Sequence, residues 1–218
     1  MELVFAIMTT FAAPGDTSDL VDVATLDARW KLDVKYATTD NFTGRVLYNS
    51  ARCFLREKPA RALALAQKWL DANHPGYVFM LKDCYRPVSV QRLMWDVVKG
   101  TPKAGYVADP DSKYGSVHNY GCAVDLTLMD AHGSEIAMGT PYDYLGKLAE
   151  PRHEEAFLAE GKLTQQQVDN RHILRDAMVA AGFKTIPNEW WHFNYLTGEQ
   201  LHAAYKPLDV PFEQLSPR

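Results

Sequence analysis

The hydrophobic positions of this chain recur at helical spacing in several segments. Leu63, Ala66 and Leu70 lie three or four residues apart, which predicts a helix over residues 59–72. A second helix is predicted over residues 87–98, where apolar positions again follow a helical period. Its inward-facing side chains are expected to be Val90, Leu93, Met94 and Val97.

A third helix is indicated by its first and last residues as well as by its period. Thr164 and Gln167 have the spacing of a capping box, in which each side chain accepts a hydrogen bond from the other residue's backbone. Val168, Leu174 and Met178 follow on one face, and a glycine at position 182 can end the helix. We therefore expect a helix from about residue 165 to about residue 181.

Strand-like segments lie between the helices without regular alternation. Residues 31–36 alternate between polar and apolar positions, and residues 77–81, 123–128 and 190–195 are short apolar or aromatic runs. Irregular mixing of the two element types favours an α+β fold over a parallel α/β fold. We predict a single α+β domain with a central, mainly antiparallel sheet that is flanked by helices.

Length and charge favour a single domain and give no support for nucleic-acid binding or a membrane span. The chain has 218 residues, 47% of them hydrophobic, and a net charge of −4. This size suits one domain, here predicted over residues 21–218 after an N-terminal arm or signal remnant at residues 1–20. Without a basic excess, nucleic acid is not an expected partner, and no apolar run approaches the roughly 20 residues that span a membrane.

The N-terminus and the cysteines bear on the compartment. The apolar residues 3–8 resemble the end of an export signal, which favours the bacterial periplasm over the cytoplasm. The chain has three cysteines, Cys53, Cys84 and Cys122, too few for a disulfide framework. We expect three buried thiols, with one disulfide and one free thiol as the alternative for an exported protein.

Two segments combine the residue types of a catalytic metal site. His118 and Asp125 lie in the segment 116–125, and Glu189 and His192 lie in an aromatic run. A catalytic zinc needs three protein ligands and one open position, and His118, Asp125 and His192 supply such a set. Glu189 is then free to accept a proton from water and pass it to a leaving amine. The residues predict a hydrolytic zinc site.

The spacing within the first segment places its histidine outside the strand. An odd separation along a straight strand would put His118 and Asp125 on opposite faces of the sheet. His118 is therefore expected in a loop that bends back before the strand. Gly115 and Gly121 supply the backbone freedom for that bend.

The same segments resemble the M15 zinc peptidases, which act on peptidoglycan peptides, and most closely their VanX-type dipeptidase branch. The pattern is Ser-x-His-x-x-Gly-x-Ala-x-Asp over residues 116–125, followed by Glu-x-x-His over residues 189–192. Further similar stretches are residues 32–38, 40–44, 83–87, 123–128 and 189–193. The resemblance covers roughly residues 20–200 and implies a Hedgehog/DD-peptidase-like fold.

The resemblance implies a role for each matching residue. His118, Asp125 and His192 would bind one Zn²⁺ per chain, and Glu189 would be the general base. Arg86, in a Tyr-Arg-Pro stretch, would stabilise the oxyanion of the transition state. The substrate-binding residues would be Asp143, Ser116 and Tyr36, with Asp143 binding the substrate ammonium.

The activity implied is hydrolysis of the small D,D-dipeptide D-Ala-D-Ala to two molecules of D-alanine. Such an activity would limit the supply of peptidoglycan precursors, as in antibiotic resistance, or recycle D-alanine as a nutrient. One alternative is a D,D-carboxypeptidase or endopeptidase that acts on longer cell-wall peptides. Another is a non-catalytic, zinc-stabilised binding module, which would be expected to lack Glu189 or Arg86. The oligomeric state is left open by the sequence.

Overall fold

The computed structural model describes residues 15–215. The expected N-terminal arm therefore lies largely outside the described residues, although Leu20 already belongs to the first strand. Five helices are formed in this part of the chain: α1 Glu57–Asn73, α2 Val88–Val98, α3 Glu154–Ala159, α4 Gln165–Ala180 and α5 Gly198–Ala204. Within residues 15–215, no helix combines the length and apolar character needed to cross a membrane.

Seven strands form two sheets. They are β1 Leu20–Asp22, β2 Lys31–Leu32, β3 Phe54–Arg56, β4 Val78–Asp83, β5 Ala123–Met129, β6 Lys184–Thr185 and β7 His192–Asn194. The larger sheet has the order β2-β4-β5-β7-β6, and β1 pairs with β3 in a separate ribbon. All pairs are antiparallel except β2 with β4. The predicted α+β domain with a mainly antiparallel sheet is confirmed.

The predicted strand over residues 31–36 is only partly formed. Strand β2 stops at Leu32, and a 3₁₀ helix covers Lys35–Ala37. The turn brings Tyr36 into the core, where its side chain is buried and its hydroxyl donates to Asp143. A long-range contact thus overrides the local alternating pattern, which could not have shown it.

The buried face of helix α2 agrees only partly with the predicted one. Leu93 and Val97 are 43% and 42% exposed, so their expected inward position is wrong. Val90 and Met94 are buried as predicted, and Gln91 and Val98 are buried in place of Leu93 and Val97. Gln91 faces inward because its amide forms hydrogen bonds inside the fold, and apolar periodicity does not detect such polar contacts.

Helix α4 confirms the prediction from capping. The backbone N–H of Gln167 donates to Thr164 Oγ1, and the backbone N–H of Thr164 donates to Gln167 Oε1. Gly182 follows the last turn with φ +93°, a conformation that glycine adopts without strain.

The expectation of three buried thiols is wrong, and the alternative of one disulfide and one free thiol is found. Cys53 and Cys84 form a disulfide, with Cα atoms 5.2 Å apart, while Cys122 is a free buried thiol. Cys53 lies just before β3 and Cys84 just after β4, so the disulfide joins the two sheets. Their sequence separation of 31 gave no spacing signal for this pairing.

Candidate active site

The pairing of β5 with its two neighbouring strands places two acidic side chains and one histidine next to one another in the large sheet. Asp125 on β5 lies opposite His192 on β7 and opposite Asp83 at the end of β4. Residues directly opposite one another in an antiparallel pair point to the same face. The sheet therefore holds two carboxylates and one imidazole side by side, all of them buried.

His118 reaches the same place from a 3₁₀ helix that precedes β5. This helix covers Val117–Tyr120 and lies between Gly115, with φ +60°, and Gly121, with φ +67°. The positive φ of Gly121 favours glycine, and a Cβ there would also lie only 3.1 Å from the Leu20 side chain. The bend expected from the sequence is thus present.

The donor atoms of three side chains face one another. His192 Nδ1 lies 2.9 Å from Asp125 Oδ1 and 3.1 Å from His118 Nε2. His118 Nε2 lies 3.3 Å from Asp125 Oδ1. These separations are close to the roughly 3.3 Å expected between ligands that bind one tetrahedral ion at about 2.0–2.1 Å.

The remaining nitrogens of the two imidazoles fix their tautomers. His118 Nδ1 lies 2.6 Å from the carbonyl oxygen of Cys84, and His192 Nε2 lies 2.8 Å from Asn194 Oδ1. Since both of these oxygens accept hydrogen bonds, each ring carries its proton on that side. With a cation bound, each ring would direct the lone pair of its other nitrogen at the ion, beside the Asp125 carboxylate oxygen. The group His118, Asp125 and His192 fits a divalent metal ion.

The second oxygen of Asp125 is held from the opposite side. The hydroxyl of Tyr142 donates to Asp125 Oδ2 at 3.0 Å, and Arg86 Nη2 lies 3.8 Å from the same oxygen. Burial alone would raise the pKa of Asp125, but the neighbouring His118 and His192 hold this pKa below its ordinary value. The carboxylate is therefore kept ionised and oriented toward the two imidazoles.

Glu189 lies beside this group without being part of it. Its Oε2 atom is 3.9 Å from His192 Nδ1, beyond hydrogen-bonding distance. Burial raises the pKa of this carboxyl group to about 7. A carboxyl group with such a pKa can both take up and release a proton near neutral pH.

Arg86 is a buried cation at the edge of the group. Its Nε and Nη2 atoms donate to Asp83 Oδ2 at 2.9 and 2.7 Å, and Nη1 donates to Gln91 Oε1 at 2.7 Å. The guanidinium also lies over the ring of Tyr36, 5.2 Å from its centroid. Burial would lower the pKa of Arg86, but the carboxylate of Asp83 raises this pKa well above its ordinary value. The positive charge is permanent.

Asp143 combines backbone strain with a carboxylate that lacks a partner. Its φ is +60°, uncommon for a residue with a side chain. Oδ1 accepts from the Tyr36 hydroxyl at 2.9 Å, whereas Oδ2 is buried without a hydrogen-bond partner in the described part of the chain. Burial raises the pKa of Asp143 well above its ordinary value. A cationic group that entered the cavity would give Oδ2 a partner and would offset the cost of burying the negative charge.

The ligand group, Glu189, Arg86 and Asp143 line one cavity of about 280 Å³. Every residue that the sequence singled out for the site contributes to it: Tyr36, Arg86, Ser116, His118, Asp125, Asp143, Glu189 and His192. Ser116 stands at the start of the His118 helix, where its backbone N–H donates to Asn119 Oδ1 at 3.3 Å. Apolar lining comes from Phe42, Val107, Leu145, Ile186 and Trp191.

Several supporting residues were missed by sequence reasoning. They are Asp83 and Gln91 beside Arg86, Tyr142 beside Asp125, and Asn194 beside His192. One of them had a local signal, because Asn194 follows His192 by two positions and so shares its strand face. Asp83 and Gln91 lie three and five positions from Arg86, but their side chains carry no motif spacing that marks them as its partners. Tyr142 lies 17 positions from Asp125.

A group of side chains that could hold a divalent ion, beside an acid that is not part of it, fits the active site of a metal-dependent hydrolase. The chain belongs to the M15 peptidase family, whose model, described as D-ala-D-ala dipeptidase, matches residues 16–211. It is similar to the D-alanyl-D-alanine dipeptidase of Escherichia coli strain K12, at 35% identity over 88% of this chain and 90% of the relative. The proteins of the same name from Enterococcus faecalis and Streptomyces coelicolor are each 32% identical. These two alignments cover 77% and 79% of this chain, and 86% and 88% of the respective relatives.

Proposed function

We propose that this protein is a zinc-dependent dipeptidase that hydrolyses D-Ala-D-Ala to two molecules of D-alanine. The observation that carries the proposal is the convergence of His118, Asp125 and His192 on one point, with Glu189 beside them and bonded to none of them. The shared name of the relatives supports the choice of substrate.

The donor set favours zinc as the ion. Two neutral imidazoles and one carboxylate, without a thiolate, are typical of hydrolytic zinc sites with one position left open. A bound zinc ion would supply Lewis-acid polarisation of the scissile carbonyl and a lowered pKa for water. Its protein ligands would be His118 Nε2, Asp125 Oδ1 and His192 Nδ1, with one ion per chain.

Glu189 is proposed to move the proton. Its carboxylate lies next to the ligand group and lines the cavity, so it can accept a proton from the attacking water. The same carboxyl group then donates this proton to the nitrogen of the leaving amine. The peptide C–N bond breaks in this step, and the two products are an amino acid carboxylate and an amine.

Arg86 is proposed to stabilise the negative charge that develops on the carbonyl oxygen. Its guanidinium is already oriented by Asp83 and Gln91, so little reorganisation is needed during the reaction. Donors that are fixed before the reaction are the ones that stabilise a transition state most effectively.

The charged ends of a free dipeptide match the polar residues of the cavity. We infer that the substrate ammonium pairs with Asp143 Oδ2, a buried oxygen that has no hydrogen-bond partner within residues 15–215. Tyr36 holds the other oxygen of that carboxylate. Ser116 offers a hydroxyl to the substrate from the cavity wall.

Replacing Asp143 with Asn should weaken recognition of the free dipeptide. Loss of a buried partner for a charged ligand group costs about 2–5 kcal/mol, so kcat/KM for D-Ala-D-Ala should fall at least about 30-fold. Steady-state kinetics measure this loss, and the exposed Asp176 changed to Asn serves as the control. If both variants kept the kinetics of the unmodified protein, the ammonium would bind elsewhere.

Tyr142 should affect metal binding through Asp125. Loss of a hydrogen bond to a metal ligand typically weakens metal affinity by about 10–100-fold, and we expect a loss in this range for Tyr142→Phe. Competition with a chromophoric zinc chelator measures the dissociation constant. Tyr85→Phe is a matched control, because its hydroxyl is bonded to Val210 instead. Equal affinities in the two variants would show that the Tyr142 bond does not support the site.

The proposed activity is tested by release of D-alanine from D-Ala-D-Ala with zinc-loaded protein. Parallel reactions contain L-Ala-L-Ala and an N-acetylated tripeptide that ends in D-Ala-D-Ala. We expect turnover of the free D,D-dipeptide and little of the other two. No release from any substrate would reject the proposal, and preferred cleavage of the tripeptide would assign the protein to carboxypeptidase chemistry.

A further inference from the structure

Gln91 is a polar side chain in an apolar position. It lies on the inward face of α2 with Val90, Met94 and Val98, and its side chain is fully buried. Both ends of its amide are used: Oε1 accepts from Arg86 Nη1 at 2.7 Å, and Nε2 donates to the carbonyl oxygen of Ala108 at 2.7 Å. Gln91 therefore joins the guanidinium of Arg86 to the cavity wall at Ala108.

These bonds determine how the guanidinium is oriented. A guanidinium has five N–H donors in one plane. Asp83 takes one N–H from Nε and one from Nη2, and Gln91 takes one from Nη1. With two edges of the planar group fixed, rotation about its long axis is prevented. The second N–H of each Nη remains for the cavity, where Arg86 Nη2 approaches Asp125.

We propose that Gln91 is a positioning residue for the hydrolytic reaction. Acting through Nη1, it sets the plane of the Arg86 guanidinium so that its remaining N–H groups are directed at the developing oxyanion. The inference rests on the proposed function, because it assumes that Arg86 acts on the transition state. It adds a residue that lines no part of the cavity and that touches neither substrate nor metal ligand.

The chemistry of the amide explains why a glutamine occupies this position. The site needs an acceptor toward Arg86 and a donor toward a backbone carbonyl on its other side, and a neutral amide supplies both. A hydrocarbon of the same length would leave one N–H of Arg86 and the Ala108 carbonyl without a partner. Buried polar groups that lose their partners tend to move or admit water, so the guanidinium would lose its fixed plane.

The test compares Gln91→Met with Gln91→Glu. Methionine removes both hydrogen bonds at nearly constant volume, whereas glutamate keeps an oxygen acceptor for Arg86 Nη1 and, in its protonated form, a donor toward the Ala108 carbonyl. A misplacement of about 1 Å at a catalytic group can cost about 10²-fold in rate, so we expect Gln91→Met to lose about 10- to 100-fold in kcat with KM little changed. Gln91→Glu should retain most of kcat. Equal losses in the two variants would overturn the proposal.

A second measurement separates positioning from general destabilisation. Gln91→Met is combined with Arg86→Lys, in which a compact ammonium has no plane to orient. If Gln91 acts through the guanidinium, its replacement should cause little further loss of kcat in this background. An equal fold-loss in both backgrounds would show that Gln91 acts independently of Arg86 and would contradict the proposal.

Gln67→Met is the matched control. Gln67 is also buried and bonded at both ends of its amide, to Trp30 and to the carbonyl of Tyr77, but lies outside the cavity. The substitution Gln67→Met should lower the melting temperature and leave kcat unchanged, in contrast to Gln91→Met. The activity of the unmodified protein separates a failure of the proposed function from a failure of the role proposed for Gln91. Without turnover of D-Ala-D-Ala the proposed function fails, whereas normal turnover with an inert Gln91 refutes this inference alone.

Discussion

Changing Glu189 to Gln is expected to lower kcat for D-Ala-D-Ala by about 10²–10⁴-fold, the usual contribution of a positioned general acid–base group. The substitution keeps the size of the side chain and removes its capacity to take a proton. Because Glu189 Oε2 lies 3.9 Å from the nearest His192 nitrogen, it is not a member of the ligand group. Zinc affinity should therefore remain close to that of the unmodified protein. Kinetics and zinc titration on the same preparation test both statements.

The control for Glu189 is an acid outside the cavity. Glu199 in the first turn of α5 is exposed, so Glu199→Gln should leave kcat unchanged. If Glu189→Gln kept full activity, proton transfer would belong to another residue. If it lost both zinc and activity, Glu189 would be a ligand and the proposed division of roles would be wrong.

The second large effect is expected at Arg86. Arg86→Lys keeps a positive charge beside Asp83 but loses the planar pair of donors, and we expect kcat to fall by about 10²–10³-fold, as when an oxyanion donor is removed. The loss should fall mainly on kcat, because the interaction strengthens as the oxyanion forms. A rise in KM with unchanged kcat would instead assign Arg86 to ground-state binding.

Arg86→Ala tests the structural contribution of the same residue. Removing the cation leaves the Asp83 carboxylate buried, with the Tyr48 hydroxyl and the Cys84 N–H as its remaining donors. Breaking a buried ion pair in this way typically costs about 3–5 kcal/mol of stability. Thermal unfolding should therefore show a much larger shift for Arg86→Ala than for Arg86→Lys. Equal melting temperatures would mean that Asp83 does not depend on its partner.

The sequence was most informative where the chemistry depends on local spacing. The bend before β5 follows from the odd separation of His118 and Asp125 and from the glycines at positions 115 and 121, which both have positive φ. The capping box of α4 is similarly local, because both of its hydrogen bonds join residues three positions apart. Motif spacing also selected side chains that share one cavity.

The features that the sequence did not predict depend on tertiary contacts. Apolar periodicity placed Leu93 in the core, but the bonding partners of Gln91 turn a partly different face of α2 inward. Tyr36 interrupts an alternating segment because its hydroxyl bonds Asp143, 107 positions further along the chain. The Cys53–Cys84 disulfide likewise depends on how β3 and β4 meet. None of these contacts leaves a periodic signal in a single sequence.

Two distant segments of the chain are proposed to bind one zinc ion and to leave it an open position beside Glu189. Anomalous diffraction from crystals of the zinc-loaded protein, recorded on both sides of the zinc absorption edge, locates this ion independently of any activity assay. We expect one zinc peak per chain, about 2.0–2.2 Å from His118 Nε2, Asp125 Oδ1 and His192 Nδ1, with no fourth protein ligand. A peak elsewhere, or an ion enclosed by four protein ligands, would rule out this catalytic site.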